Sequence, residues 1–347
     1  MSSFNIEIRK ITVTEHPNAD ALEIGNVDGY QFVVRKGEFQ SGDAGAYIPE
    51  KAILPTTIIE AMGLAGRLAG PEGNRVKAIR LRGVLSQGLF YVPQPWPTHW
   101  QAGLDVTEEL GITKYVPPIP LEMSGQVTAV GAEDFRSYTD VEDIKKFNQV
   151  LVTGEEVIFT EKLHGTCSIF YLNAAGERYV SSKGLASKGL AIKEAEGNIY
   201  WRMARKYQIF EKLGGWLEVS RTHNATLFGE TLGVQDLMYG LKKGDLAFRA
   251  FDLWVSAQSE PYFMQYNQFT AWCVTNALPN VPVLYQGPLS AEALATYSAG
   301  ISTIASHIRE GIVIRPLHER YHSDVGRVLL KSLSPDYLVR KGGTEME

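Results

Sequence analysis

A lysine at the end of a β-like run has surroundings that favour covalent chemistry. Lys162 follows the apolar run 157–160, and His164 and Gly165 stand two and three residues after it. A lysine amine attacks phosphorus only when it is neutral, and partial burial or neighbouring cations favour that form. The K-x-H-G pattern therefore indicates a lysine nucleophile beside a nucleotide. Alone it is weak, because average residue usage produces such a match by chance in roughly 3 of 100 chains of this length.

Five downstream segments carry further polar groups next to strand-like runs. Four have ordinary structural explanations when taken alone: a surface loop at 181–184, a strand end at 228–230, core aromatics in 246–254 and an edge-strand cation at Lys331. In the fifth, Glu310 precedes an apolar strand, where a carboxylate can act as a metal ligand. The candidate site residues of these segments are Ser182, Lys183, Glu230, Phe251, Asp252, Glu310 and Lys331.

The elements that must position these residues form two blocks. Residues 4–92 contain short alternating runs separated by turn signals, which is typical of a small closed β-barrel. A Pro- and Trp-rich connector follows. We therefore predict a barrel domain over 1–116, a Pro-rich linker over 117–140 and a second domain over 141–347.

The second block mixes strands and helices, which predicts an α+β domain with an antiparallel sheet. Apolar residues at helical spacing predict a helix over 191–213. The predicted strands are 157–160, 167–172, 226–231, 246–253, 311–315 and 327–331.

Composition limits the classes of protein that fit. The 347 residues suffice for two domains, and 44% hydrophobic and 21% charged residues are ordinary for a soluble globular protein. The net charge is −5, so a nucleic-acid surface would have to be a local basic patch. The two cysteines lack metal-ligand spacing, and no apolar run reaches membrane-spanning length. We expect a soluble cytoplasmic protein with reduced thiols.

Taken in order, the segments resemble a known set of motifs. The series K-x-H-G, S-x-K-G, F-G-E, F-D, E-G-I-V-I-R and L-L-K-S is similar to the nucleotidyltransferase motifs of lysine-adenylating ligases, over residues 141–335. Histidine stands where the commoner K-x-D-G pattern has aspartate. This difference points to the RNA ligases rather than to DNA ligases or mRNA capping enzymes.

Two stretches of the first block resemble tRNA-binding OB folds. These are His-Pro-Asn-Ala-Asp-Ala-Leu-Glu at 16–23 and the Arg-Leu-Arg-Gly-containing segment 80–89. An OB domain ahead of a ligase core resembles the Deinococcus-type ATP-dependent RNA ligases. In DNA ligases and capping enzymes the OB domain follows the core, so the domain order argues against both.

The resemblance implies a reaction and its participants. Lys162 would attack ATP to form lysyl-AMP, the adenylate would pass to an RNA 5′-phosphate, and an RNA 3′-hydroxyl would displace AMP, in RNA repair. The cofactors would be ATP and Mg²⁺ (or Mn²⁺), and the partners would be ends of nicked or broken RNA, including tRNA or RNA within a duplex. A monomer without membrane contact is expected.

The resemblance also implies a role for each motif residue. Glu161 would read the adenine edge, Phe251 would stack on the base, Glu230 would bind the ribose, and Gly165 would form the turn beside the nucleotide. Ser182 or Lys183 would lie near the ribose or α-phosphate. Glu310 would hold the metal through waters, and Asp252 would be a second acidic candidate. His164 would orient the leaving group, and Lys331 would supply positive charge.

Two departures from the family pattern stand out. The last motif often has two lysines one residue apart, but Leu329 occupies the earlier position here, which leaves Arg327 or Arg340 as candidate replacements. Lys183 stands where many relatives have arginine, and lysine lacks the bidentate geometry of a guanidinium.

The RNA-binding residues and the activity itself each leave an alternative open. Cations near aromatic residues in the barrel could bind RNA by phosphate contacts and stacking, but a solvated charge row over core aromatics explains any single residue equally well. The alternative to a ligase is a non-catalytic RNA- or nucleotide-binding protein with a tRNA-type OB fold. The candidate RNA-binding residues are Arg35, Lys36, Arg80 and Arg82.

Overall fold

The computed structural model describes residues 4–116, 126–132, 135–256 and 260–340. The chain divides into two compact units, Met1–Val116 and Pro117–Glu347. Among the described residues, no helix combines the length and the apolar character needed to cross a bilayer.

The first unit is built from short antiparallel strands around two apolar clusters. Its strands are β1 (Glu7–Lys10), β2 (Thr12–Glu15), β3 (Leu22–Val27), β4 (Tyr30–Arg35), β5 (Ala44–Ile48), β6 (Ala52–Ile53), β7 (Ile79–Leu81), β8 (Val84–Ser86), β9 (Leu89–Tyr91) and β10 (Thr113–Lys114), with one short helix, α1 (Thr56–Ala61). The sheets run β1-β5-β9 and β2-β3-β4, and β7 and β8 form a hairpin. These short, mutually packed strands confirm the predicted barrel.

The second unit contains two five-stranded sheets. Its strands are β11 (Val127–Ala129), β12 (Glu142–Asp143), β13 (Glu156–Lys162), β14 (Thr166–Asn173), β15 (Arg178–Ser182), β16 (Leu190–Ile192), β17 (Asn224–Leu232), β18 (Ala247–Ser256), β19 (Tyr262–Phe263), β20 (Val283–Pro288), β21 (Gly311–Pro316), β22 (Tyr321–His322), β23 (Gly326–Arg327) and β24 (Leu330–Leu333). Its helices are α2 (Lys183–Ala186), α3 (Ile199–Lys206), α4 (Ile209–Ser220), α5 (Tyr266–Thr275), α6 (Ala291–Ser298) and α7 (Pro335–Leu338).

The sheet order places the predicted motifs on neighbouring strands. One sheet runs β12-β24-β21-β13-β20 and the other β15-β14-β17-β18-β19. All pairs in both sheets are antiparallel except that β12 pairs parallel with β24. The predicted α+β class with an antiparallel sheet is confirmed.

Two details differ from the sequence expectations. The predicted helix over 191–213 is strand β16 followed by two helices, because Gln208 adopts a left-handed conformation that ends one helical path and starts another. The predicted linker over 117–140 includes β11, which pairs with β16 of the second unit. Pro117–Pro120 lie outside the described residues.

Candidate active site

The nucleophile candidate lies at the end of a central strand. In β13, Lys162 pairs with Gly311, the first residue of β21. Because Glu310 immediately precedes β21, this register brings its carboxylate to the lysine, and Lys162 Nζ lies 2.6 Å from Glu310 Oε1. The side chain of Lys162 is 27% exposed, whereas that of Glu310 is 8% exposed. The amine is therefore held by a buried acid while remaining accessible to a ligand.

The turn after Lys162 needs glycine because two chain segments approach closely. A Cβ on Gly165 would lie 2.2 Å from the carbonyl oxygen of Thr231, which leaves room only for hydrogen. The backbone N–H of Gly165 donates to Glu230 Oε1 at 2.9 Å, and the side-chain amide of Gln235 donates to the Gly165 carbonyl. The turn is thus fixed by β17 and the loop after it.

Glu230 is an acid in an unfavourable environment for its charge. Burial, together with the charge of Glu310, raises the pKa of Glu230 to about 8, although Lys162 and the Gly165 N–H act in the opposite direction. A carboxyl group in such a position gains from a cationic or hydrogen-bond-donating ligand.

His164 connects the lysine motif to two other parts of the chain. Its Nε2 lies 2.8 Å from Asp236 Oδ1 and 3.1 Å from Arg340 Nη2, and its Nδ1 lies 2.9 Å from the hydroxyl of Tyr337. Nδ1 is also 3.8 Å from Glu310 Oε2. Burial lowers the pKa of His164 and outweighs the acids nearby, which favours a neutral imidazole.

Lys331 lies on the same face of the sheet as Lys162. Lys331 of β24 pairs with Val313 of β21, which in turn pairs with Thr160 of β13. Lys162 lies two residues after Thr160 on β13, and residues two apart on a strand share a face. Leu329 is 1% exposed and packs in an apolar cluster. The residue at the earlier motif position therefore contributes to the core rather than to the site.

Lys183 and Ser182 lie at the start of α2. The Ser182 hydroxyl accepts a hydrogen bond from the Leu185 N–H and caps that helix. Lys183 Nζ lies 2.6 Å from Asp140 Oδ1, and its charge lowers the pKa of Glu230 as a minor contribution. Lys183 is thus near the acids of the site, whereas the Ser182 hydroxyl already has a local partner.

Phe251 occupies a bulge in β18. Phe228 pairs with Asp252 and Gly229 pairs with Ala250, so Phe251 is the extra residue. A bulge redirects a side chain, and Phe251 is only partly buried, with its ring 4.8 Å from that of Tyr138. This position leaves part of the ring available for stacking.

Asp252, the second acidic candidate, pairs with an arginine and a tyrosine in the interior of the unit. Asp252 is fully buried, and its Oδ2 accepts from Arg327 Nη1 at 2.7 Å and from the Tyr138 hydroxyl at 2.7 Å. Burial alone would raise the pKa of Asp252, but the charges of Arg327 and Arg315 outweigh it and the pKa is lowered. Arg327 also pairs with Glu319 at 2.7 Å, so it does not replace the missing motif lysine.

Glu161 lies on the other face of the sheet from Lys162, because neighbours along a strand alternate. Its Oε2 accepts from the backbone N–H of Thr303 at 2.9 Å and from the Thr303 hydroxyl at 2.7 Å. Its Oε1 is buried and lacks a hydrogen-bond partner among the described residues. The structure therefore separates Glu161 from the lysine cluster but leaves one oxygen able to accept a hydrogen bond.

The acids of the site fit a divalent cation whose ligands are mainly waters and substrate phosphates. Within the described part of the chain, no three His, Cys, Asp or Glu side chains converge as a metal site. Glu310 Oε2 is nevertheless buried without a hydrogen-bond partner there, while Oε1 binds Lys162. One available carboxylate oxygen suits Mg²⁺ or Mn²⁺, which keep several waters and bind substrate phosphates.

Comparisons with known proteins match both units. The RNA ligase family model matches residues 155–333, just over half of the chain. The chain belongs to the RNA ligase family. A second model, described as an OB-fold domain, matches residues 6–93. Comparison with curated proteins gave no match.

Solved structures of Naegleria gruberi RNA ligase are similar over nearly the whole chain. An apo variant is 27% identical, with a TM-score of 0.79 and coverage of 97% of this chain and 98% of that one. The same ligase with PPi is 27% identical, with a TM-score of 0.77 and coverage of 96% and 98%. A lysine variant of it with ATP and Mn is 27% identical, with a TM-score of 0.76 and coverage of 96% and 97%.

Several residues of this RNA ligase site were not predicted from sequence. Gln235 and Asp236 come from the loop after β17, and Tyr337 comes from α7. Tyr239 accepts a hydrogen bond from the His164 N–H at 2.6 Å, and Thr303 holds Glu161. None of these residues belongs to a motif described above. The one feature of the sequence that could have indicated them is Asp236, an acid that follows the F-G-E strand by a few residues.

In the OB-fold unit, the candidate RNA-binding cations are exposed, but two of the nearby aromatics are not. Phe32 and Phe90 are 1% and 4% exposed and stack on each other in the barrel core. In the β7–β8 hairpin, Arg80 lies in β7 between two exposed apolar residues, Ile79 and Leu81, and Arg82 lies in the turn. The candidate cations Arg35, Lys36, Arg80 and Arg82 are all exposed.

The two OB-like sequence stretches meet at this hairpin. His16 Nε2 lies 3.2 Å from the carbonyl oxygen of Leu81, and the Asn18 amide donates to the carbonyl of Arg82 at 3.1 Å. Residues 16–20 thus support the hairpin main chain and leave the arginine side chains exposed.

Proposed function

We propose that this chain is an ATP-dependent RNA ligase that forms a lysyl-AMP intermediate on Lys162. The observation that carries the proposal is the 2.6 Å contact between Lys162 Nζ and Glu310 Oε1, in a core that belongs to the RNA ligase family. The ATP, AMP and Mn of the similar Naegleria ligase structures support the same cofactors here.

In the first step, the neutral amine of Lys162 attacks the α-phosphorus of ATP. The N–P bond forms as the bond to pyrophosphate breaks, the amine loses one N–H proton to solvent, and charge increases on the phosphate oxygens. Lys331, on the same face of the sheet, supplies positive charge, and Glu230 accepts from the ribose hydroxyls. A divalent cation held by Glu310 would compete with Lys162 for this carboxylate and so favour the neutral amine.

In the later steps, AMP passes to an RNA 5′-phosphate, and an RNA 3′-hydroxyl displaces it. Preorganised charges contribute most to such in-line displacements. The partly buried ring of Phe251, in its bulge, would stack on the base, and Lys183 would contact the ribose or α-phosphate. We place the activity in RNA repair, with nicked or broken RNA as substrate.

A labelling experiment tests the first step. The protein is incubated with α-labelled ATP and Mg²⁺ or Mn²⁺ and separated on a denaturing gel. We expect covalent label on the wild type and on Lys188→Ala, an exposed lysine of the same unit, but none on Lys162→Ala. Absence of label on the wild type with either metal would favour the non-catalytic binding protein, and label from GTP alone would indicate capping chemistry.

A second experiment tests the contribution of the OB-fold unit. Charge reversal of Arg80 and Arg82 to glutamate should leave Lys162 labelling unchanged but reduce sealing of a 5′-phosphate nick in an RNA duplex. Each lost phosphate contact should also reduce the salt dependence of RNA binding by about one unit of slope. Unchanged sealing and salt dependence would remove this hairpin from the RNA-binding surface.

A further inference from the structure

The segment just beyond the region matched by the RNA ligase family model reaches into the active site. That region ends at residue 333, whereas Tyr337 of α7 and Arg340 both contact His164. We propose that Asp236, Tyr337 and Arg340 are positioning residues that act through His164 to hold the lysine turn in its reactive geometry. The proposal rests on the proposed function of Lys162 and deepens it.

Hydrogen-bond chemistry explains why this position carries histidine. His164 Nε2 lies 2.8 Å from the Asp236 carboxylate, which can only accept, and 3.1 Å from Arg340 Nη2, which can only donate. We assign the proton of the neutral ring to Nε2, because the contact with Asp236 is the shorter one and Arg340 Nη2 already donates to Asp236. Nδ1 then accepts from the Tyr337 hydroxyl at 2.9 Å. An aspartate at 164 could not donate to Asp236 and would instead face a like charge.

Arg340 completes this cluster from the other side. Its Nε and Nη2 donate to the two oxygens of Asp236 at 2.7 Å and 3.1 Å, and its guanidinium lies 3.8 Å from the centroid of the Tyr337 ring. Arg340 is thereby paired with a carboxylate and stacked on an aromatic ring. It orients the two partners of His164 rather than offering an additional charge to a phosphate.

The segment 334–340 also contacts Glu310, which binds the amine of Lys162, and Leu163, which follows Lys162. The Ser334 N–H donates to the carbonyl of Glu310 at 2.8 Å, and Leu163 packs with Tyr337 in one apolar cluster. Because Leu163 and His164 directly follow Lys162, the C-terminal segment anchors both the lysine turn and the acid that binds the lysine.

Single-turnover labelling of Lys162 at varied ATP concentration separates positioning from binding and from folding. We expect Tyr337→Phe and Arg340→Gln each to slow the maximal rate about tenfold, with a smaller change in the ATP concentration that gives half the maximal rate. Melting temperatures should stay close to that of the wild type. The matched control is Arg320→Gln, which breaks an arginine–carboxylate pair with Glu155 in the same unit and should label at the wild-type rate.

Two combinations show whether these residues act through His164. If they do, Tyr337→Phe should have little further effect in a His164→Ala background, because residues that act as one unit are not additive. His164→Asp should label more slowly than the wild type, and adding Asp236→Asn should restore part of the rate by removing the like charge.

Several outcomes would overturn the inference. These are wild-type rates for Tyr337→Phe and Arg340→Gln, full additivity with His164→Ala, and a His164→Asp variant that labels as fast as the wild type. Failure of the proposed function gives a different result, because the wild type itself would then remain unlabelled.

Discussion

Two clusters of acids and cations in the second unit use the same residue types in opposite ways. Around Asp252, two arginines and a tyrosine surround a fully buried carboxylate and lower its pKa. Around Lys162, Glu230 is left without enough positive charge and its pKa is raised to about 8, while Glu310 retains a buried oxygen without a hydrogen-bond partner among the described residues. Asp252 Oδ1 also lacks a hydrogen-bond partner among the described residues, so the difference between the clusters is one of charge. Arginines balance the charge of the first carboxylate, whereas the second cluster is suited to receive a charged ligand.

The largest expected effect on stability concerns the Asp252 cluster. Arg327→Ala should lower the free energy of unfolding by about 3–5 kcal/mol, because it leaves a buried carboxylate without its nearest cation. Urea denaturation measures this change. A loss below about 1 kcal/mol would show that the cluster is not the structural ion pair described here.

Glu310→Gln should reduce activity strongly and stability little, in contrast to Arg327→Ala. We expect Lys162 labelling to fall by about 10²–10³-fold, because the carboxylate that contacts the amine, and that we propose as the metal ligand, is lost. The melting temperature should change little, since Lys162 remains partly solvated at 27% exposure. Labelling rates and thermal melts on the same preparation check both parts, and a destabilised but active variant would contradict the comparison.

Glu230→Gln sharpens the comparison through pH. Since the pKa of Glu230 is raised from 4.5 to about 8, the folded state binds more protons than the unfolded state between these values. The free energy of unfolding contributed by this group therefore falls as pH rises through that window. Without nucleotide or metal, the variant should gain stability over the wild type as pH rises from about 5 to 8, measured as melting temperatures. A pH-independent difference would argue against the raised pKa.

The smallest expected effect is the loss of a partly exposed ion pair, which serves as a reference for the buried one. Arg320 pairs with Glu155 at 2.8 Å, but both side chains are partly exposed. Arg320→Gln should lower the free energy of unfolding by no more than about 1 kcal/mol, as for other surface ion pairs. Denaturation alongside Arg327→Ala makes the comparison, and equal losses would show that burial does not distinguish the two pairs.

The candidate residues that lie on neighbouring strands could be identified from the sequence. Lys162 and Glu310 come together, and Lys331 lies on the same face as Lys162, because each is on or next to a strand of one sheet. Glu230 joins them through the Gly165 turn. The apolar runs that form these strands were visible in the residues themselves.

The partners of Asp252 could not be predicted from its own strand, because they are distant in sequence. An acid beside an aromatic strand residue looks the same whether it faces a ligand or an arginine, and Arg315 and Arg327 are far away in sequence. Likewise, nothing local to Tyr337 indicates that it contacts His164. The left-handed Gln208 interrupts the predicted helix, and the helical spacing of the apolar residues gave no sign of this break.

The most direct test of the central claim is to locate the covalent nucleotide. After incubation with ATP and Mg²⁺, peptide mapping by mass spectrometry should find AMP on the peptide that contains Lys162 and on no other lysine peptide. Addition of pyrophosphate should remove it by reversing the first step. An adduct on another lysine, or none while ATP binding is detected, would contradict the account.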